Sequence, residues 1–312
     1  MSNTQAPSSA QATEDFTEYP PGQVDPGLPK KKPALAHYLM VLPALLGFTL
    51  FIVVPAVQGA FYSFTNYAGY GDWHFIGFAN YVAMFSDPNV GQAYTFTLIF
   101  AIVTTLLLNA IALFLAVLLN SKTKWPNLWK GIYFIPMVLS GLVVSYCFQY
   151  LMNQSIPKII TWGPLGEGIL TNANWAWLGV VFVTIWASFP GTVIIYLAGL
   201  SSIGGEVYEA GELDGATAFG QFRHITLPLL GSFIVINTVL GLKNLLNAYD
   251  IIIGLTNGGP SGATTSIAMS ITSTVSSSDV AYGSANAMVF FVVTILLSVA
   301  QLGVVKLMGE KK

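Results

Sequence analysis

The chain has 312 residues, of which 8% are charged and 54% hydrophobic, with a formal net charge of −2. A soluble domain carries roughly a quarter charged residues, so this chain cannot clothe a water-facing surface in the usual way, and its near-zero charge leaves no footprint for a nucleic-acid partner. The single cysteine, Cys147, excludes an internal disulfide, and the scattered His37, His74 and His224 lack metal-ligand spacing, so neither metal nor cofactor is expected.

Residues 1–33 are rich in proline and acidic residues, nearly devoid of large apolar ones, and end in Lys30-Lys31-Lys32. They cannot bury enough surface to fold alone and read as a disordered tail. The apolar segment that follows is too long for a signal peptide and is expected to be retained. From there the charges are bunched. No Asp, Glu, Lys or Arg lies between Lys32 and Asp72, Asp87 and Lys122, Lys130 and Lys158, Glu167 and Glu206, Arg223 and Lys243, or Asp279 and Lys306. Each gap accommodates the roughly 20 apolar residues that cross a bilayer as a helix. The expected spans are about 36–64, 94–120, 131–152, 175–200, 226–252 and 284–308, within a membrane domain of residues 34–308. The Gly/Ser/Thr-rich stretch from Asp250 to Asp279 reads as an external loop.

Orientation follows from the basic residues. With the N-terminus in the cytoplasm, Lys30, Lys31, Lys32, Lys122, Lys124, Lys130, Arg223, Lys306, Lys311 and Lys312 fall inside, ten of the chain's twelve. Lys158 falls outside and Lys243 within the fifth span, so the opposite orientation inverts the bias. Tyr67, Trp73, Trp175 and Trp177 suit an interfacial belt. Pro43, Pro55, Pro136 and Pro190 interrupt the spans, either as ordinary membrane-helix packing or, for Pro136 and Pro190, as bends in helices that must rock.

Between the fourth and fifth spans, residues 203–224 carry most of the functional information. Glu206, Glu209 and Glu212 recur every third residue beside an apolar stripe of Ile203, Val207, Ala210 and Leu213, the pattern of a short amphipathic helix. Asp214-Gly215 should end it, because glycine accepts the left-handed backbone of a helix C-terminus. A second helical piece with Phe219 and Phe222 then leads into the membrane at Pro228. An acidic helix on the cytoplasmic side runs against the positive-inside trend, so something other than insertion demands it.

This segment resembles the EAA motif of ABC importer permeases: Glu-Ala-Ala, three residues, Gly, nine residues, Ile-x-Leu-Pro. Glu209, Ala210, Gly215, Ile225, Leu227 and Pro228 stand at its positions, and Gly211 replaces the second alanine. The resemblance implies a coupling helix seated in a cleft of a separate ATPase subunit. There Glu209 makes polar contacts, Gly215 forms the turn, Phe219 fills an apolar pocket, and Ala210, Gly211, Asp214 and Ala216 complete the contact. It extends over most of residues 36–308. Trp186-x-x-x-Pro190, Leu197-Ala198-Gly199-Leu200, Leu213-Asp214-Gly215-Ala216 and Leu255-Thr256-Asn257-Gly258-Gly259-Pro260 look like the carbohydrate branch, most similar to the maltose-transporter first-permease type. That implies an all-α, six-span, type I importer permease fold with both termini cytoplasmic, in a bacterial cytoplasmic membrane. The implied partners are a second, non-identical permease, an ABC ATPase, an extracytoplasmic solute-binding protein received on segments 65–93, 153–174 and 254–283, and a sugar substrate.

The substrate path has two readings. Polar side chains in hydrocarbon usually face a cavity or a partner, and Lys243, Asn247 and Asp250 share one helical face beside Asn244 and Tyr249. That face lines the path, with Tyr249 packed on a pyranose ring, or it meets the second permease, or Lys243 pairs with Asp250. The resemblance instead places sugar-facing positions at Ala187 and Gly191 in the fourth span and Gly241, Asn244, Leu245 and Ala248 in the fifth. Several of these are small and none is aromatic, which puts maltose in doubt and suggests a roomier or shifted site.

No Gly-x-x-x-x-Gly-Lys-Ser/Thr loop occurs, so ATP must be bound by another chain and this one is expected not to be an enzyme. An ion-driven secondary transporter would show discontinuous helices with buried midplane acids, and a membrane enzyme a converging catalytic set within the spans. Neither pattern is present in the sequence. A glycerol phosphate or amino acid cargo would favour basic residues along the path, where Lys243 is the sole candidate.

Overall fold

The computed structural model describes residues 35–120 and 126–309. The tail 1–33, and Lys122, Lys124, Lys311 and Lys312 of the orientation argument, lie outside the described residues. The chain falls into two units, residues 1–54 and 55–312. In the first, α1 (Leu35–Phe48) runs into a π-helical turn, Thr49–Val53.

The second unit opens with α2 (Val54–Tyr62), followed by an isolated antiparallel bridge between Thr65 and Phe75 and by α3 (Ala79–Ser86). Then comes α4 (Pro88–Asn120), 33 residues and so roughly 50 Å long at about 1.5 Å per residue. Asp87-Pro88 fixes its start: the Asp87 carboxylate accepts the Asn89 N–H at 2.9 Å, and a proline in the first turn has no N–H left to satisfy. There follow α5 (Pro126–Val138), α6 (Gly141–Tyr150), a π-helical turn Leu151–Ser155, the short α7 (Ile156–Ile159) and α8 (Gly163–Gly166), and α9 (Ala176–Ser201). Next are α10 (Gly205–Leu213), α11 (Ala218–Gln221), a third π-helical turn Phe222–Thr226, α12 (Leu227–Leu229) and α13 (Gly231–Leu246). The chain ends with α14 (Asp250–Leu255), α15 (Ile267–Ser276) and α16 (Val280–Gly309).

Four stretches are long and apolar enough to cross a bilayer: Leu39–Tyr62, Pro88–Asn120, Ala176–Ser201 and Val280–Gly303. Two pairs meet the same criterion only jointly. Gly131–Val138 and Gly141–Ile159 are bent by 100°, and Ala218–Leu229 and Gly231–Leu246 by 65°. Counting each pair as one span gives the expected six. The third and fifth are broken, however, and not the straight helices expected over 131–152 and 226–252. The third breaks just after Pro136, whereas α9 runs unbroken through Pro190. The expected loop between Asp250 and Asp279 also proves to hold two helices, α14 against α6 and α15 against α16.

All three π-helical turns have one cause. Each is followed at one residue's remove by proline, at Pro55, Pro157 and Pro228. A helical proline lacks its N–H, and its ring collides with the carbonyl four residues back. In each case the residue before the proline donates five residues back instead: Val54 to Thr49, Ile156 to Leu151 and Leu227 to Phe222. The widened turn moves the offended carbonyl aside without ending the helix.

The core is centred on α4 against α9. Ala93, Ala101, Ala112 and Ala116 are at most 1% exposed and lie near one stripe of α4, so the two backbones approach closely. Two apolar clusters flank this contact. The first gathers Phe96, Phe100, Val180, Leu245 and Ile252, and the second Leu119, Val193, Tyr196, Leu200 and Leu230. Where α14 crosses α6, a Cβ on Gly254 would lie 2.5 Å from that of Ser145, so only glycine fits there. Away from these contacts Leu106, Phe114, Leu296 and Val299 are more than half exposed, which suits a hydrocarbon surround.

Overpacking this stripe should be costly. We expect Ala112→Leu to destabilise the chain by about 1–3 kcal/mol, lowering its thermal unfolding midpoint in detergent, whereas Leu106→Ala on the exposed side stays within about 0.5 kcal/mol of the parent. Equal midpoints for the two variants would contradict the assigned packing.

Candidate functional site

The cytoplasm-assigned segment is built around α10. Its C-terminus is a complete Schellman motif: the Gly215 N–H donates to Glu212 O at 3.0 Å, the Ala216 N–H donates to Gly211 O at 2.9 Å, and Gly215 has φ +78°. Thr217 then caps α11, its hydroxyl oxygen accepting the Gly220 N–H at 3.2 Å. The turn at Gly215 expected from sequence is thus present, and it folds α11 and the following π turn back beside α10.

Two contacts hold that hairpin. Tyr208 Oη and Thr226 Oγ1 are hydrogen-bonded at 3.1 Å, with Thr226 only 5% exposed. One turn along α10, the Ile225 side chain lies over Gly211, and a Cβ on Gly211 would sit 2.9 Å from Ile225 Cδ1. The departure at Gly211 from the Glu-Ala-Ala pattern therefore lets Ile225 seat closely. The side of α10 turned to its own chain is the Tyr208–Gly211 side. The expected apolar stripe behaves otherwise: Ile203 packs against the second apolar cluster, but Val207, Ala210 and Leu213 are exposed, Leu213 to 90%. Glu209, Glu212, Asp214, Gly215 and Phe219 are exposed as well, while Gly211 and Ala216 are half-buried. What α10 presents outward is a mixed acidic and apolar face.

A cavity of about 260 Å³ lies between α9 and α13, closed on one side by Leu108 of α4. It brings together Gly191, Gly241, Asn244 and Leu245, four of the positions singled out from the sequence. Ser188, Thr192, Ile195, Asn237 and Leu240 complete the lining, and none of the lining residues is charged. Asn237, Gly241 and Asn244 fall at i, i+4 and i+7 on α13, and Ser188, Gly191 or Thr192, and Ile195 at matching intervals on α9. Asn237 is 4% exposed and donates from Nδ2 to Thr192 O at 3.2 Å. Nearby, Tyr196 Oη donates to Asn109 Oδ1 at 2.6 Å and Asn109 Nδ2 donates to Thr105 O at 2.8 Å. The hydroxyls of Thr104 and Thr105 are buried with no hydrogen-bond partner among the described residues. The junction beside the cavity therefore holds polar capacity that the protein does not use.

The other expected path residues lie elsewhere. Ala187 is half-buried next to Ser188 but off the cavity wall. α13 ends at Leu246, so Lys243, Asn247 and Asp250 do not share a continuous helical face. Asn247 Nδ2 donates to Lys243 O at 2.9 Å and closes the helix end, and no ion pair joins Lys243 to Asp250 among the described residues. Ala248 and Tyr249 pack against the first apolar cluster, Ala248 O accepts from Ser266 Oγ at 2.9 Å, and neither residue lines the α9–α13 cavity. Ser188, Thr192 and Asn237 were not singled out from the sequence, although each is a polar residue inside an apolar span, the same signal that drew attention to Asn244.

Residues 109–308 match the family described as binding-protein-dependent transport system inner membrane component. Among curated relatives, the multiple sugar-binding transport system permease protein MsmF of Streptococcus mutans is 32% identical over 84% of this chain and 92% of its own length. The trehalose/maltose transport system permease protein MalF of Thermococcus litoralis is 30% identical over 88% of this chain and 95% of its own. The fold is shared with a chain of a bacterial ABC transporter that imports the acidic polysaccharide alginate, at a TM-score of 0.76 and 22% identity, covering 87% of this chain and 95% of that one.

The cavity can be probed with the native cysteine removed. In a Cys147→Ser background, Gly191→Cys, where a new Cβ meets nothing within 4 Å, should react with a small water-soluble thiol reagent, and Ala112→Cys should not. Reaction at both positions, or at neither, would contradict the cavity as drawn.

Proposed function

The chain belongs to the binding-protein-dependent transport system inner membrane components, and from that premise we propose that it is one permease subunit of an ATP-driven importer of neutral oligosaccharides. It forms half of the translocation path beside a second, non-identical permease. It takes cargo from an extracytoplasmic binding protein and couples to a separate ATPase through α10. The chain lies in the bacterial cytoplasmic membrane with its N-terminus inside, a reading that the distribution of basic residues supports.

One observation carries this reading. The four converging positions Gly191, Gly241, Asn244 and Leu245 line a cavity whose α13 wall continues into the root to which Tyr208 and Gly211 hold α10. A displacement of α10 would pass through the π turn and α12 to α13, and so to one side of the cavity. The uncharged lining supports a neutral cargo: amides and hydroxyls at Asn237, Asn244, Ser188 and Thr192 match sugar hydroxyls, whereas a phosphate or carboxylate would find no cation there. Lys243, the one candidate for such a role, is off the wall. The relatives named for multiple sugars and for trehalose and maltose agree with this class. The exposed Glu209, Leu213 and Phe219 supply the ATPase-facing contacts, with Leu213, from the apolar stripe of α10, the apolar anchor.

The complete complex in proteoliposomes tests the reading. Neutral oligosaccharides presented with the binding protein should stimulate ATP hydrolysis. Glu209→Ala or Leu213→Asp should cut that stimulation about tenfold, the equivalent of about 1.4 kcal/mol at one interface anchor, with insertion and complex assembly unchanged. Stimulation by no saccharide would overturn the sugar assignment, and parental stimulation in both variants would return α10 to a structural role.

A further inference from the structure

A second polar hollow lies at the other end of α4, away from the cavity just described. It encloses about 230 Å³ among the start of α4, the loop after α14, α15 and the start of α16. Its wall holds one carboxylate, Asp87, the amides of Asn89 and Gln92, and the hydroxyls of Ser273, Thr274 and Tyr282. Beside it opens a larger, mainly apolar hollow of about 440 Å³, walled by Trp177, Phe96, Phe100 and Ile99. Gln92 lines both. Sixteen residues of α4 separate Gln92 from Leu108 at the main cavity, roughly 24 Å along the helix at about 1.5 Å per residue.

The chemistry on these walls is specific. Tyr282 Oη donates to Asp87 Oδ2 at 3.1 Å, and Asp87 Oδ1 accepts the Asn89 N–H at 2.9 Å, so the carboxylate is held in place with lone pairs to spare. Ser273 and Thr274 spend their protons on Ser270 O, at 2.9 and 2.8 Å, leaving both hydroxyl oxygens as acceptors. The Gln92 amide has no protein partner among the described residues and can both donate and accept. Phe96 and Phe100 are stacked at 5.6 Å, which stiffens the apolar wall next to the half-buried Trp177 indole. An aromatic wall adjoining a planar amide, a carboxylate and hydroxyl acceptors suits a ring with one apolar face and a rim of hydroxyls. No cationic side chain lines either hollow, which disfavours an anion, and no group of three or more His, Cys, Asp or Glu able to hold a metal occurs among the described residues.

We propose that the paired hollow around Gln92 is a second saccharide subsite at the outer end of the path, where a pyranose unit rests against Trp177 and Phe96 and hydrogen-bonds to Gln92 and Asp87. This rests on the reading of the chain as a sugar importer subunit. The subsite would hold one sugar unit at the mouth while the α9–α13 cavity accepts another, a division suited to oligomeric cargo.

The test uses the full-length chain in lipid nanodiscs, titrated with trehalose, maltotriose, raffinose and cellotriose while tryptophan fluorescence is followed. At least one saccharide should give a saturable change that Trp177→Phe abolishes. Gln92→Ala and the near-isosteric Asp87→Asn should each shift the midpoint at least fivefold, and Asn244→Ala in the main cavity should leave it in place. A response that survives Trp177→Phe, a midpoint indifferent to Gln92→Ala, or no response to any of the four saccharides would overturn the subsite. Saccharide-stimulated ATP hydrolysis by the complete complex separates the two claims. Stimulation without a Trp177 response removes the subsite alone, and absence of both removes the sugar reading with it.

Discussion

The proposed mechanism depends on how α10 is held to the root of α13. A nine-residue helix is too short to be stable in isolation, so it can transmit displacement only if its neighbours fix it. Two contacts do so: the hydrogen bond between the Tyr208 and Thr226 hydroxyls, and the seat that Gly211 leaves for Ile225. Both land on the π turn that leads into α12 and α13. The Schellman motif at Gly215 is the hinge of the hairpin that makes these contacts possible, and its positive φ is affordable only because no side chain is present there. With α10 joined to the membrane helix in this way, its acidic and apolar face stays exposed while its Tyr208–Gly211 side packs on the π turn.

The hydrocarbon surround explains why the spans break where they do. Backbone groups in a bilayer must find partners within the protein, so a proline must be accommodated without leaving the helix. At Pro55, Pro157 and Pro228 the answer is the same widened turn, with an N–H donated five residues back. The last of these lies between α10 and α13, ahead of the 65° bend that separates Leu229 from Gly231. The π turn at Phe222–Thr226 carries the helix past Pro228 and, through Ile225 and Thr226, provides the surface against which α10 packs. The loop after α14 is handled differently. Thr264 is fully buried and donates to Gly259 O at 2.6 Å, while the Ile267 N–H reaches Thr97 Oγ1 at 3.0 Å, so this Gly-rich stretch is bonded to α4 and is not a loose tether.

Much of this was legible in the sequence, and the parts that were not have physical causes. Gaps between charges located the apolar spans because burying charge in hydrocarbon is costly, and the αL requirement at a helix end marked Gly215. The breaks after Val138 and Leu229, and the end of α13 at Leu246, were hidden because hydropathy is blind to backbone direction: a bent pair and a straight rod have the same composition. Lys243, Asn247 and Asp250 looked like one face only on the assumption of an unbroken helix. The stripe from Ile203 to Leu213 was apolar for two different reasons, since Ile203 meets its own core while Leu213 is left outside, and periodicity does not distinguish an inner contact from a partner's. Asn237 and Ser188 could have been found by extending to the whole span the rule that drew attention to Asn244, because they stand four residues from Gly241 and three from Gly191 and so share the same two faces.

The central claim is that α10, the π turn and the start of α13 move as one body. The most direct measurement is pulsed electron–electron distance spectroscopy on the complete complex, with one spin-label pair at Glu212 and Arg223, both exposed, and a second pair from Glu212 to Thr95 on α4. Between the nucleotide-free and ATP-bound states, the first distance distribution should remain unchanged while the second shifts. A change within the first pair, with the second static, would show α10 moving independently of α13 and would contradict the account.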